Sequence, residues 1–127
     1  MTPTAKLFLI LGGINAALAV LLGAFGAHAL KARLSLEMIA VYQTGVHYHF
    51  FHALGLLVVG VVATQIPMSV FLKWSGWLML MGIVLFCGSL YILSIGDLPW
   101  LGAITPVGGV SFIVAWILFV VAVAKSS

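Results

Sequence analysis

Four long runs of hydrophobic residues, separated by the few charged residues of the chain, dominate the sequence. The runs cover residues 7–30, 44–64, 74–95 and 101–124. Each run can cross the hydrocarbon core of a bilayer as an α-helix, which takes about 20 residues. A transmembrane β-barrel would instead show strands of about ten residues with alternating hydrophobicity. Because the connections are short, the pattern predicts an all-α integral membrane protein, a single-domain four-helix up-down bundle.

The composition strengthens this prediction and restricts the possible partners. Hydrophobic residues make up 65% of the chain and charged residues 6%, against about 45–50% and about 25% in soluble domains. Such a chain cannot cover its surface with polar groups, so membrane lipid is its expected surrounding. The five Lys and Arg residues are dispersed, so no nucleic-acid partner is expected. Cys87 is the single cysteine, which excludes an internal disulfide and a cysteine-based metal site within one chain.

The first two spans each raise a question about their boundaries. The first run follows a lysine and resembles a signal peptide, but it is longer than the usual hydrophobic region of about 7–15 residues, so we expect a retained helix. Ser35 can cap a helix that starts at Leu36, but a helix from there to Thr64 would be about 43 Å long. One long tilted helix would fit, and so would an interfacial turn at Leu36–Gln43 that bends near Gly45. We expect the bend.

The start of the fourth span and the distribution of cations complete the predicted topology. Thr105-Pro106 is typical of a helix start, because the N–H that proline lacks would be unpaired there anyway. Residues 101–104 are expected to form a short irregular stretch packed against protein. The cations fall on two sides of the membrane, with Lys6, Lys73 and Lys125 against Lys31 and Arg33. The three-to-two excess predicts that both termini are cytoplasmic.

Small residues recur at helical spacing on the first and third spans. They are Gly12, Ala16, Ala19, Gly23 and Ala27 in the first span, and Ser75, Gly82 and Ser89 in the third. Small residues let helix backbones approach closely in lipid, where packing drives association. We expect these faces to pack inside the bundle, and an interface between molecules is the alternative.

Three histidines within a short stretch of the second span suggest a metal site, but their spacing counts against it. At about 100° per residue, His49 and His52 lie about 60° apart on one helix face, whereas His47 lies nearly opposite His49. One helix therefore cannot present all three to a single metal. Haem ligation by His28 and His52 is also unfavourable, because their depths differ by about 10 Å or more. We expect no metal and no other cofactor.

Most polar residues of the spans fall in the non-cytoplasmic half of the predicted bundle. Folding the first hairpin about residues 35–36 sets His28 level with Gln43, and leaves little but Asn15 in the other half. The predicted polar pocket consists of His28, Gln43, Tyr48, His52, Ser89, Tyr91, Thr105 and Pro106. Polar groups within a membrane usually face the bundle interior or a water-filled cavity. Two interpretations stay open: a binding site, or groups that bond only one another and the helix break before Pro106.

Motifs spread over nearly the whole chain resemble a known family. They are Leu22-Gly23-Ala24-Phe25-Gly26-Ala27-His28, then Gln43 with Tyr48 and His52, then Phe86-x-Gly88-Ser89-x-Tyr91, then Thr105-Pro106-x-Gly108-Gly109. Together they resemble the small membrane proteins of domain-of-unknown-function family 423, which includes a vertebrate relative. The resemblance implies four transmembrane helices, a location in the bacterial inner membrane, and no established activity. The family pattern does not include His47 or His49, which weakens the case for a histidine metal cluster further.

The sequence favours a role without catalysis. No acidic residue lies within the four apolar runs, which counts against a carboxylate relay or an acid–base hydrolase. The serines and Cys87 lack an evident base for nucleophilic catalysis. We therefore expect an accessory or scaffold protein that forms a homo-oligomer or joins a larger membrane complex. The alternative is an oligomeric channel or transporter that uses the polar pocket for an ion or a small solute.

Overall fold

Four helices account for nearly all of the described chain. A computed structural model describes residues 1–126, and we number its helices α1 (Pro3–Leu30), α2 (Leu36–Ala63), α3 (Val70–Gly96) and α4 (Pro99–Ala124). All four are long and apolar enough to cross a membrane, and residues 1–126 contain no strand. The predicted all-α membrane fold is confirmed. The helices are longer than the apolar runs because each continues into its polar flanks.

Side-chain oxygens cap the starts of the first three helices. The hydroxyl groups of Thr2, Ser35 and Ser69 accept hydrogen bonds of 3.1–3.2 Å from the backbone N–H three residues further on. Each cap satisfies one of the backbone donors that a helix start leaves without a partner. The cap at Ser35 is the one that the sequence predicted.

Helix α2 is continuous, and the bend predicted near Gly45 is wrong. Gly45 makes room for a neighbouring helix instead: a Cβ atom there would lie 2.9 Å from the ring of Tyr91. At about 1.5 Å per residue, α2 is about 42 Å long and extends beyond the hydrocarbon core of about 30 Å. The long-helix interpretation therefore holds.

Local departures from α-helical geometry occur in the other three helices. Helix α1 ends in a π-helical segment at Gly26–Leu30, and α3 contains another at Ile83–Cys87. Helix α4 begins with a 3₁₀ turn at Pro99–Ala103, followed by regular α-helix over Thr105–Ala124. Pro106 lies in the first turn of that regular segment, so the helix start predicted at this point is confirmed.

Helices α2 and α3 form the centre of the bundle, with α1 packed chiefly on α2 and α4 chiefly on α3. Accordingly, 44% of the residues in the most apolar stretch of α2 and 39% of those in α3 are buried. The corresponding shares for α1 and α4 are 22% and 28%. Large apolar side chains such as Leu21, Phe51 and Val120 lie exposed on the outward faces. Those faces are suited to contact with lipid.

Many of the small residues singled out in the sequence lie at contacts between helices. Gly12 lies against Leu57 of α2, and Gly82 lies against the ring of Phe112 of α4. The Ser75 hydroxyl donates a 2.6 Å hydrogen bond to the backbone oxygen of Ala115. Among the others, Ala19 and Ser89 are buried, Ala16 and Gly23 are half-buried, and Ala27 is exposed. Most of these residues therefore serve packing inside the bundle.

Candidate functional site

The predicted polar pocket does not exist as one cavity. Its members have different surroundings: His28, Gln43, Tyr48 and Pro106 are exposed, Tyr91 and Thr105 are half-buried, and His52 and Ser89 are buried. The helices turn His28 and Gln43 outward, away from the buried members. The interior members form three separate hydrogen-bonded groups instead.

The first group is a chain of hydrogen bonds that links α1, α2 and α3. Both ring nitrogens of the buried His49 have partners: Nε2 lies 2.9 Å from Asn15 Oδ1, and Nδ1 lies 2.9 Å from the Tyr91 hydroxyl. The amide nitrogen of Asn15 donates to the backbone oxygen of Leu11 at 2.8 Å. Asn15 therefore turns its oxygen toward His49, so Nε2 carries the proton and Nδ1 accepts from Tyr91.

Asn15 belongs to this group although the sequence placed it in the opposite half of the bundle. Contacts between Gly12 and Leu57, and between Leu22 and Tyr42, set the register of α1 against α2. In this packing the side chains of Asn15 and His49 meet. The sequence estimate, which folded the hairpin about residues 35–36, set Asn15 level with residue 56 instead.

The second group is centred on His52. The indole N–H of Trp116 in α4 donates to His52 Nε2 at 3.0 Å, so the proton of the neutral ring lies on Nδ1. That nitrogen is 2.7 Å from the backbone oxygen of Tyr48, to which it donates. The His52 ring also stacks on Phe112, with 3.5 Å between ring centroids. Sequence reasoning missed Trp116; its position well inside a span was the available signal, because an indole N–H at membrane depth needs an acceptor.

The third group joins α3 to the start of α4. The hydroxyl groups of Ser89 and Thr105 lie 2.6 Å apart, and Ser89 also donates to the backbone oxygen of Phe86 at 2.9 Å. Thr105 contacts the backbone oxygen of Leu101 at 3.4 Å. These bonds fix the change from the 3₁₀ turn to regular helix and satisfy polar groups at membrane depth.

The second group lines a concave surface of about 310 Å³ that brings together Tyr48, His52 and Trp116. Two further concave surfaces have open space beside polar residues. The lateral cleft, between α1 and α3, has a volume of about 470 Å³ and is lined by Asn15, Leu18, His49, Ile83, Val84, Leu85, Gly88, Ser89, Tyr91, Ile92, Leu101 and Ile104. The outer groove, between α1 and α2, has a volume of about 270 Å³ and is lined by Gly23, Gly26, Ala27, Ile39, Tyr42, Gln43, Val46 and His47. Polar side chains are present in both.

The outer groove owes its shape to Gly26 and Tyr42. The Tyr42 hydroxyl donates to the backbone oxygen of Leu22, and a Cβ atom at Gly26 would overlap the Tyr42 ring. Gln43 and His47 follow Tyr42 on the exposed side of α2. Within residues 1–126, their side chains have no hydrogen-bond partner, in contrast to His49 and His52.

The described part of the chain brings no metal-binding set together. Residues 1–126 contain no group of three His, Cys, Asp or Glu side chains placed to hold a metal ion. Both nitrogens of His49 and of His52 are used by neutral partners, and His47 faces outward. Cys87 is buried as a free thiol.

Comparison with known proteins identifies the family. The family described as "Protein of unknown function (DUF423)" matches residues 22–109. The UPF0382 membrane protein YwdK of Bacillus subtilis is 55% identical over 120 residues, covering 94% of this chain and 98% of the relative. UPF0382 membrane proteins of Staphylococcus epidermidis and Staphylococcus saprophyticus are each 46% identical over 120 residues, covering 94% of this chain and 97% and 98% of theirs. No solved structure matches the chain. As its motifs predict, the chain belongs to the DUF423 family of membrane proteins.

Proposed function

We propose that this protein is a non-enzymatic membrane accessory protein that assembles with a second copy of itself through the outer groove. The observation that carries the proposal is the exposure of Gln43 and His47 at membrane depth. Both lie on the outward side of α2, and neither side chain bonds to another group in residues 1–126. Exposed polar side chains within a span are costly in contact with lipid and usually face protein or water.

The depth of these residues follows from the length of α2. Gln43 and His47 lie about 10 Å and about 16 Å along the axis from Leu36, at about 1.5 Å per residue. If α2, about 42 Å long, is centred on a hydrocarbon core of about 30 Å, its first 6 Å or so lie outside that core. Gln43 then lies about 5 Å and His47 about 10 Å below the surface of the core. Both need hydrogen-bond partners that lipid does not supply.

A second copy of the chain supplies such partners by symmetry. A two-fold axis along the membrane normal would place Gln43 opposite Gln43 of the other molecule, and His47 opposite its counterpart. A carboxamide both donates and accepts, as does a neutral imidazole, so each residue is complementary to itself. Gly23 and Ala27 line the same groove, and small side chains there allow a close approach of helices.

The absence of catalysis in this proposal is supported by the hydrogen bonds in which the serine hydroxyl groups and the buried histidines are engaged. The hydroxyl groups of Ser75, Ser94 and Ser111 donate to backbone oxygens. His49 and His52 are held on both nitrogens by neutral groups. These bonds lie within or between the helices of the bundle, and none of them pairs a histidine with a serine hydroxyl as a base with its nucleophile.

Cysteine crosslinking in native membranes tests the self-association. Ala40 is exposed on the same side of α2 as His47, and Val107 is exposed at the same end of the bundle on α4. We expect Ala40→Cys to form a disulfide-linked dimer under mild oxidation, and Val107→Cys to stay monomeric. Adding Gln43→Leu and His47→Leu to the Ala40→Cys variant should lower the dimer yield about tenfold, which corresponds to a loss of ~1.4 kcal/mol.

Two outcomes of this experiment would contradict the proposed dimer. Equal crosslinking of Ala40→Cys and Val107→Cys would indicate random collision. Capture of a different protein at Ala40→Cys, without the dimer, would instead favour membership of a larger membrane complex. An unchanged dimer yield after the two leucine substitutions would refute the role of the polar side chains.

The alternative function, an oligomeric channel or transporter, uses the same residues. Several copies arranged about one axis would bring Gln43 and His47 together around a shared path. His52, Ser89 and Thr105 do not extend that path, since they bond inside the bundle, and we therefore favour the accessory role. Solute flux into proteoliposomes that Gln43→Leu abolishes would reverse this preference.

We further propose that the protein lies in the inner (cytoplasmic) membrane of a bacterium with both termini in the cytoplasm. The distribution of lysines supports this orientation, because Lys6 and Lys73 lie near the starts of α1 and α3 and Lys125 follows α4. The Lys125 ammonium group lies 5.7 Å from the centre of the Phe71 ring, which keeps these ends together. Labelling of Lys125→Cys by a membrane-impermeant thiol reagent only after cell lysis would agree with this orientation.

A further inference from the structure

The lateral cleft between α1 and α3 combines an apolar wall with a polar floor near the middle of the membrane. Asn15 lies about 18 Å from the start of α1 and about 22 Å from its end, at about 1.5 Å per residue. Asn15 is 8% exposed and His49 is 4% exposed, so the cleft barely exposes the polar groups at its floor. A Cβ atom at Gly88 would meet nothing within 4 Å, which leaves the middle of the cleft open.

The polar floor retains unused hydrogen-bonding capacity. One N–H of the Asn15 amide donates to Leu11, and its oxygen accepts from His49, which leaves the second N–H free. The Tyr91 hydroxyl donates its single proton to His49, which leaves the lone pairs of its oxygen free to accept. The floor therefore offers one free donor, on Asn15, at one edge of the His49 ring and one free acceptor, on Tyr91, at the other edge.

The apolar wall of the cleft continues along α3 as a shallow groove. A second concave surface, with a volume of about 640 Å³, is lined by Trp74, Trp77, Leu80, Met81, Val84 and Leu85. Val84 and Leu85 belong to both surfaces. The combined groove runs from Trp74 to the polar floor at Tyr91, about 25 Å along the helix axis.

From these features we infer that the lateral cleft binds a long-chain molecule with a neutral terminal group that donates a hydrogen bond, such as a fatty alcohol. The chain lies along α3, and the terminal hydroxyl donates to the oxygen of Tyr91. The free N–H of Asn15 lies beyond the opposite edge of the His49 ring and is too far away to bond the same hydroxyl. The acyl chains of a phospholipid end in methyl groups and offer the polar floor no hydrogen bond. This site is distinct from the outer groove, so each proposal can fail without the other.

Photocrosslinking in proteoliposomes tests this inference on the unaltered protein. The probes are a hexadecanol that carries a diazirine in its chain and the hexadecane with the same diazirine and no hydroxyl. We expect the alcohol to label cleft residues such as Val84 and Ile92 about tenfold more than the alkane, the effect of one hydrogen bond in an apolar site. Both probes should label Val120 equally, because it lies on the lipid-facing side of α4.

A matched pair of glycine substitutions gives an independent test. Gly88→Leu fills the open part of the cleft, whereas Gly13→Leu adds the same side chain to an exposed position of α1 that also has nothing within 4 Å. We expect Gly88→Leu to remove the preference for the alcohol, and Gly13→Leu to keep it. Equal labelling by alcohol and alkane in the unaltered protein would overturn the inference, and so would an undiminished preference in a folded Gly88→Leu variant.

Discussion

Gly108 and Gly109 are neighbours in α4, and their replacement by alanine is expected to have opposite effects on stability. A Cβ atom at Gly108 would overlap the backbone nitrogen of Phe86 in α3, whereas one at Gly109 would lie 3.8 Å from the Phe86 ring. Ordinary contacts of a Cβ atom begin at 3.4 Å. Gly108→Ala therefore needs α3 and α4 to separate by about 1 Å at this point, because a backbone atom cannot turn aside.

The size of the effect follows from the hydrogen bonds that hold α3 to α4. The Ser75–Ala115, Ser89–Thr105 and Ser111–Leu78 bonds are 2.6, 2.6 and 2.7 Å long. A separation of about 1 Å would stretch the nearest of them beyond the range of a hydrogen bond. Each interhelical bond in a membrane contributes about 0.6 kcal/mol, and overpacking costs about 1–3 kcal/mol. We expect Gly108→Ala to lower the free energy of unfolding by about 2–4 kcal/mol.

Gly109→Ala is the control, because it gains helix propensity of up to about 1 kcal/mol without a clash. Reversible unfolding in mixed detergent micelles, followed by circular dichroism, measures both variants against the unaltered protein. Equal unfolding free energies for the two variants would refute the close approach of α3 and α4 at Gly108. A destabilised Gly109→Ala would contradict the room for a methyl group at that position.

Three further predictions use the same unfolding assay. Tyr91→Phe keeps the ring but leaves the acceptor Nδ1 of His49 without a partner, so we expect a loss of about 1–3 kcal/mol; no loss would contradict the hydrogen-bond chain. Ser75→Ala should cost more than Ser94→Ala, because Ser75 bonds across to α4 whereas Ser94 bonds within its own helix; equal costs would contradict this assignment. Asp97 adopts a left-handed conformation with φ 52°, so Asp97→Gly should stabilise the protein by up to about 1 kcal/mol, and a loss of stability would refute that reasoning.

Sequence signals that depend on local chemistry gave correct predictions. The Ser35 cap and the helix start at Thr105-Pro106 follow from the backbone groups that a helix end leaves without partners, so a few neighbouring residues decide them. The bend at Gly45 failed because the role of that glycine depends on a distant residue, Tyr91, whose ring occupies the space. The second reason for predicting a bend, the length of about 43 Å, failed too, since a membrane helix can continue past the hydrocarbon core.

The composition of the candidate site could not be predicted, for a reason specific to membrane helices. A helix that is apolar on all sides does not indicate by its sequence pattern which side faces the bundle. Helical spacing placed His47 and His49 on opposite faces of α2, but it did not indicate which face is buried. An error in the register of α1 against α2 then separated Asn15 from its partner His49. Both quantities, rotation and register, are set by packing between helices.

Hydrogen-bond pairing separates the polar residues that hold the fold from those that are free to act. His49 and His52 use both ring nitrogens inside the bundle, so neither can bind a ligand through its ring without breaking a hydrogen bond of the fold. Gln43 and His47 have no partner within the described chain, and their side chains can bind an outside group at no such cost. Asn15 and Tyr91 lie between these cases. Asn15 bonds through its oxygen and one N–H and keeps its second N–H free, and the Tyr91 hydroxyl donates its proton and keeps its lone pairs free. Function in this family is therefore best sought at the outer groove and the lateral cleft, where polar atoms without partners meet open space.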